Sequence, residues 1–272
     1  AMVKTGEAGG LLESTLVRTA DQLEKDAALR RQVRSAMIYP SLIISFAMIV
    51  LLALVAFLIP VFEKVFKQFG GKLPTLTKYM VGISHLIRDQ WYLVILFLVL
   101  SVAGFIFWRR SKYGQAQWDR IKLRFPLKIG DVVQKVAIAR WARTLSSLTS
   151  AGVPVMQALD IVGKTSGNTV VENSMGKVVD SVKAGGTISE PLRGSKVFPP
   201  MVAHMVGVGE ETGALDAMLA KLAEFYEEEV AAAIKALTSI LEPVMIIFVG
   251  SVVGLIVVSM YLPLFDVYNQ IR

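Results

Sequence analysis

Gly209-Glu210-Glu211-Thr212-Gly213 opens the stretch that decides the fold. Leu215, Leu219, Leu222 and Tyr226 follow at helical spacing, then Glu242-Pro243, a long apolar run, and Leu262-Pro263-Leu264-Phe265. The same order occurs once before. Gly6-Glu7-Ala8-Gly9-Gly10 leads through Leu12 and Leu16 to Tyr39-Pro40, an apolar run, and Ile59-Pro60-Val61-Phe62. Gly6 and Gly209, Pro40 and Pro243, and Pro60 and Pro263 all stand 203 positions apart, so the two copies align without a gap. Fixed spacing over such a distance marks a duplicated unit. Each unit is a soluble helix feeding a membrane helix.

Composition agrees with lipid as a solvent. The chain is 54% hydrophobic with mean hydropathy +0.55. Three uncharged runs, Ser35 to Phe62, Trp91 to Trp108 and Pro243 to Phe265, each reach the ~18 apolar residues that cross a bilayer as helix. A buried core helix is the competing reading of each. The first run is too long for a cleavable signal peptide and lacks a small-residue cleavage site. With no cysteine there is neither a disulfide nor a thiolate metal site. The net charge of +7 fits lipid headgroups and topology better than nucleic acid.

The sequence thus predicts an all-α, polytopic membrane protein with three transmembrane helices. Residues 1–35 read as the remnant of a first cytoplasmic domain, 36–62 as the first span, and 63–90 as a periplasmic loop carrying a short helix from Leu76 to Ile87. The second span is 91–108, and 109–241 is a cytoplasmic bundle of about six helices. Residues 242–265 form the third span and 266–272 a periplasmic tail. In the bundle, Ile138, Trp141, Leu145 and Leu148 share one helix face. Gly152 stops that helix and Pro154 restarts the next. Met201 to Val208 is read as a helix that ends at the Gly-Glu turn. The second copy has a stretch from Val136 to Val208 that the first lacks, which points to an N-terminally truncated form of a longer protein. Prolines 40, 60, 243 and 263 are expected at helix ends or kinks, giving both membrane helices one shape. Arg30, Arg31 and Arg34 before the first span, and Arg109, Arg110 and Lys112 after the second, place the N-terminus and 109–241 in the cytoplasm. The basic loop with Lys64, Lys67, Lys72, Lys78 and Arg88 weakens that asymmetry.

No catalytic constellation emerges. Gly163-Lys164-Thr165 resembles the end of a phosphate-binding loop, but position 158 is Ala where a glycine is needed. His85 and His204 have no partner at metal-ligand spacing. The spans hold no interior charge of the kind that marks ion pathways, which argues against a pump or channel. Glu210, Glu211 and Asp216 crowd a helix start, as Glu7 and Glu13 do in the first copy. They favour the macrodipole there, or alternatively form a docking surface or a weak site for calcium or magnesium. Glu227-Glu228-Glu229 reads as a solvated face or a partner contact. Arg140 and Arg143 are solvated, paired with these acids, or bound to a partner. Glu242 stands where the first copy has Tyr39, as an interfacial residue or a polar contact between packed spans.

Ala139-Arg140-Trp141-Ala142-Arg143-Thr144-Leu145, Ala151-Gly152-Val153-Pro154, Val206 to Leu215 through Gly209-Glu210-Glu211-Thr212-Gly213, and Phe225-Tyr226-Glu227-Glu228-Glu229 together resemble the type II secretion F / PilC platform family. Leu241-Glu242-Pro243 and Met260-Tyr261-Leu262-Pro263-Leu264-Phe265 continue the resemblance, the latter in the manner of the pilus-type members. It implies a multi-pass protein of the bacterial inner membrane with two homologous six-helix cytoplasmic domains. Such a protein oligomerises with itself and contacts other inner-membrane subunits of the machine. It passes the motion of a hexameric cytoplasmic ATPase to pilins or pseudopilins. The resemblance also implies no organic cofactor, and a divalent cation near Glu7 or Glu210. Absence of most of the first cytoplasmic domain puts ATPase binding by this form in question. A transporter or channel subunit, also prone to internal repeats, is the rival class.

Overall fold

The computed structural model describes residues 12–68, 75–126 and 128–270, and every regular element among them is a helix. In chain order these are α1 (Leu12–Ala53), a π turn (Leu54–Leu58), α2 (Ile59–Gln68), α3 (Thr75–Asp89), α4 (Trp91–Arg110), α5 (Lys112–Arg124), α6 (Ile129–Ser150), α7 (Val155–Thr165), α8 (Thr169–Lys183), α9 (Ser189–Arg193), α10 (Pro200–Thr212) and α11 (Leu215–Gln270). The chain divides into two compact units. One comprises residues up to Ala36 with Arg109–Leu237, the other Met37–Trp108 with the chain from Thr238 onward.

The first unit is built around a single core. Ile138, Trp141, Leu145 and Leu148 of α6 are all buried, as their spacing predicts. They meet Leu159 and Val162 of α7, Met175 of α8, Val202 and Val206 of α10, and Leu219 and Leu222 of α11. A buried indole needs a partner for its N–H. Trp141 Nε1 donates to Met175 Sδ at 2.9 Å, and its ring meets Phe198 edge-on at 5.0 Å between centroids. The stop after α6 forms as the Gly-x-Pro spacing requires. Gly152 takes φ 74°, its N–H bonds the Thr149 carbonyl, and the Val153 N–H bonds that of Leu148. Pro154 then caps α7.

Two features of this unit add to or depart from the sequence reading. Helix α5 has no strong apolar periodicity, so its bounds inside the helical 109–241 stretch are not marked in the sequence. It is held by Asp119, buried, whose carboxylate accepts from the N–H and the hydroxyl of Thr169 and so caps α8 from a neighbouring helix. The departure is the Gly-Glu turn. Helix α10 does not end at Val208 but runs through Gly209, Glu210 and Glu211 to Thr212, and only Gly213, at φ 68°, breaks it. Gly209 is helical because its role is close approach. A Cβ there would lie 3.0 Å from Leu215 Cα and 3.2 Å from Met218 Cβ.

The second unit contains the apolar helices. Among the described residues three helices are long and apolar enough to cross a membrane by length and composition: Leu23–Val65, Trp91–Arg110 and Leu215–Leu262. Helix α4 buries none of its residues and leaves Phe97 and Phe107 largely bare. So large an exposed apolar surface suits lipid and not water. Leu51 of α1, Val55 of the π turn and Ile59 of α2 form one cluster with Ile256 and Met260 of α11 and with Met80 and Val81 of α3. The expectation of a loop from Glu63 is corrected here, since α2 carries the helix on to Gln68. Gly70, Gly71 and Pro74 lie outside the described residues, as do Gly6, Glu7, Gly9 and Gly10.

Candidate functional site

The prolines of the duplicated unit lie inside helices, not at their ends. Pro40 is within α1, Pro243 and Pro263 within α11, and Pro60 is the second residue of α2 after the π turn. A proline inside a helix removes one backbone donor and costs about 3 kcal/mol unless the freed carbonyl is satisfied. In hydrocarbon that need is sharper, because no water is at hand.

The two copies solve it differently, so they do not share one shape. In the first, the helix widens: the Ile59 N–H reaches back five residues to the Leu54 carbonyl. The Val55 carbonyl has then lost Ile59 as a donor, and the next residue in line, Pro60, has no N–H. Ser84 Oγ of α3 donates to it at 2.7 Å in a buried position. In the second copy the helix stays α, and the Ser259 carbonyl faces Pro263 where its donor would be. Thr77 Oγ1, also on α3 and also buried, donates to that carbonyl at 2.5 Å. Thr77 and Ser84 are seven residues apart, two turns along one face of a single helix. One short helix thus braces the proline of both copies.

A polar contact ties α3 to the end of the first long helix. His85 Nδ1 lies 2.9 Å from Asp89 Oδ2, and Nε2 lies 3.1 Å from Glu63 Oε2. Glu63 is buried, whereas His85 is half exposed. The hydrogen bond to Asp89, then that to Glu63, hold the imidazole pKa above its ordinary 6.5. Sequence reasoning dismissed His85 for want of a metal partner and so missed this contact, whose members lie 22 positions apart.

At the opposite end of the unit, Tyr39 and Glu242, equivalent residues of the two copies, line one groove between α1 and α11. Both are exposed, as are Pro243 and most of the apolar residues around it. Pro40, one position beyond Tyr39, is buried.

The candidates in the first unit are mostly occupied in holding the bundle together. Arg143 Nε and Nη2 grip Glu227 at 2.9 and 2.8 Å across α6 and α11. Lys135 bridges Asp131 at 3.1 Å and Glu229 at 2.8 Å. Burial alone would lower the Lys135 pKa, but its hydrogen bonds to Glu229 and Asp131 outweigh that and raise it. The solvated-face reading therefore holds for Glu228 alone among the three glutamates. Arg140 packs against Gly167, where a Cβ would stand 2.9 Å from its Nη1. Glu211 is exposed.

Glu210 does sit at a helix N-terminus, but not that of the helix that follows it. Its two carboxylate oxygens accept from the N–H groups of Ile188 and Ser189, at 2.5 and 3.0 Å, and so cap α9. The acidic residue and the amides it serves are 22 and 21 positions apart, beyond any local capping pattern. This carboxylate accepts one amide on each of its two oxygens. Among the described residues no group of three or more His, Cys, Asp or Glu stands together as metal ligands would. Glu7 lies outside the described residues. The Gly163-Lys164-Thr165 string ends helix α7, with Lys164 bonded to Asp160 at 2.8 Å, and no strand leads into it.

Repeated proline-bearing apolar helices, a helical bundle and a hairpin helix that serves both copies define a duplicated helical membrane protein. The profile of the family described as Type II secretion system (T2SS), protein F matches residues 1–60 and 141–263, and the chain belongs to that family. It is 43% identical over 98% of its length to the Type IV pilus assembly protein PilC of Myxococcus xanthus, and 40% identical over 99% to the protein of that name from Pseudomonas aeruginosa. It is also 36% identical over 99% of its length to the Type II secretion system protein F of Xanthomonas campestris. The chain spans 64%, 72% and 66% of those relatives respectively.

Proposed function

We infer that this chain is the inner-membrane platform of a type IV pilus assembly machine, a multi-pass protein that couples a cytoplasmic hexameric ATPase to the insertion or extraction of pilins. The observation that carries this reading is its similarity over nearly the whole chain to proteins named for type IV pilus assembly, at 40–43% identity for the first four relatives. A fifth relative, named for type 4 fimbrial assembly, is 34% identical, within the 31–36% of the relatives named for type II secretion. The equivalent platform of a secretion system, acting on pseudopilins, is the second reading, and those relatives favour it.

In this role the chain is not an enzyme, and ATP chemistry belongs to the partner. The bundle receives a displacement, and the proline-bearing helices pass it through the bilayer. Self-association and contacts with other inner-membrane subunits belong to the same proposal. Complementation tests it: supplied to a strain lacking its pilus platform, the full chain restores surface pili and not secretion. Restored secretion without pili favours the second reading, and solute flux through reconstituted vesicles favours a transporter.

A further inference from the structure

We propose that the groove between α1 and α11 holds one phospholipid with an amine headgroup, its acyl chain between the helices and its ammonium on Glu242. The groove has a volume of about 440 Å³ and belongs wholly to the second unit. It lies beside the cluster that joins the two helices. Leu51, Val55 and Ile59 close against Ile256 and Met260, whereas Phe46, Val50 and Val249 line an open cleft toward Tyr39 and Glu242.

Its chemistry is asymmetric along its length. The walls are apolar apart from the end where Tyr39 and Glu242 stand. Tyrosine is favoured at the depth of lipid headgroups, and its hydroxyl donates well to a phosphate oxygen. A carboxylate accepts from an ammonium and repels a purely anionic headgroup. One donor and one anionic acceptor lining the same groove match a zwitterion bearing a phosphate and a primary amine. The walls also argue against a third helix as occupant. The closest helix packing in membranes is favoured by small residues, which let backbones approach. Here Ala47 is small, but Phe46, Val50, Met245, Ile246 and Val249 project into the cleft. An acyl chain is slender enough to lie between them.

The test is native mass spectrometry of the delipidated full chain in detergent, titrated in turn with dioleoyl phosphatidylethanolamine, phosphatidylcholine and phosphatidylglycerol. The wild type should keep one phosphatidylethanolamine roughly tenfold more strongly than either other lipid, the advantage of one charge-assisted hydrogen bond. Glu242→Gln should erase that preference while leaving chain binding. Val50→Trp, which fills the cleft, should weaken all three lipids, whereas Leu98→Trp on the bare α4 should weaken none. Circular dichroism confirms that each variant keeps its helix content; a Val50→Trp variant that does not is replaced by Val249→Trp. Equal binding of the three lipids, a preference that survives Glu242→Gln, or a second copy of the chain displaced by Val50→Trp overturns the proposal.

Discussion

The Ser84 hydroxyl donates a 2.7 Å hydrogen bond to the Val55 carbonyl, the oxygen that the π turn and Pro60 together leave without a backbone donor. Thr77 does the same for Ser259 in the second copy. A duplicated helix with a proline near its end carries an unsatisfied acceptor in each copy, and the chain between the copies supplies one helix with two hydroxyls to meet both.

Ser84→Ala should lower stability by about 1–3 kcal/mol, the cost of leaving a buried acceptor unmet. Pro60→Ala restores an N–H five residues beyond Val55, so the cost of Ser84→Ala should shrink in that background. A double-mutant cycle on thermal unfolding in detergent measures the coupling. Strict additivity of the two substitutions would show that Ser84 does not serve the proline.

The contact of His85 with Asp89 and Glu63 makes the α2–α3 junction sensitive to pH. A group whose folded pKa is raised contributes stability that is fully present below its unfolded value and lost as pH climbs through the folded one. The imidazole value is raised above 6.5, so the contribution is complete below pH 6.5 and fades above it. The difference in melting temperature between wild type and His85→Gln should therefore be largest on the acid side, short of the carboxylate range, and narrow as pH rises. A difference that widens with pH contradicts this sign.

Arg143 and Glu227 hold α6 to α11 through two short bonds, with the arginine side chain only 11% exposed and the glutamate 29%. Glu227→Ala strands a largely buried guanidinium and should cost about 1–3 kcal/mol, less than for a fully buried pair because water still reaches the carboxylate. Arg143→Met with Glu227→Leu should recover most of that loss. Thermal unfolding of the three variants decides it.

Two glycines in helices should respond oppositely to alanine. At Gly209 the added methyl would meet the Leu215 backbone at 3.0 Å, and the overpacked α10–α11 contact should lose about 1–3 kcal/mol. At Gly176 of α8 nothing lies within 4 Å, and alanine should gain about 0.4–1 kcal/mol by restricting the unfolded chain. Chemical denaturation of both variants checks the signs.

How far the fold could be read in the sequence follows the range of the interactions. The duplication, the apolar helices and the stop at Gly152-Pro154 rest on periodicity and on neighbours in the chain, so the residues announce them. The caps by Asp119 and Glu210 do not, because the helices they serve begin 50 and 21 positions away. The brace of Thr77 on Ser259 spans 182 positions. The π turn was missed for a related reason: the Val55 carbonyl that it and Pro60 together strand is met by Ser84, 29 positions away. Gly209 was misread as a turn because glycine and charge together mimic a break, when the glycine serves packing against Leu215.

The transmission proposal implies that Pro40 and Pro243 matter for work more than for stability. Pro40→Ala with Pro243→Ala should leave the protein folded, since each alanine restores a backbone donor, yet reduce surface pili. Pilus counts equal to wild type at equal protein levels would remove the prolines from the mechanism.

ATP hydrolysis by the candidate assembly ATPase, measured with and without the full chain reconstituted in vesicles, tests the platform reading most directly. The account predicts that the ATPase co-purifies with this chain and that its rate changes when the chain is present. No association and an unchanged rate, with the bundle correctly folded, would contradict it.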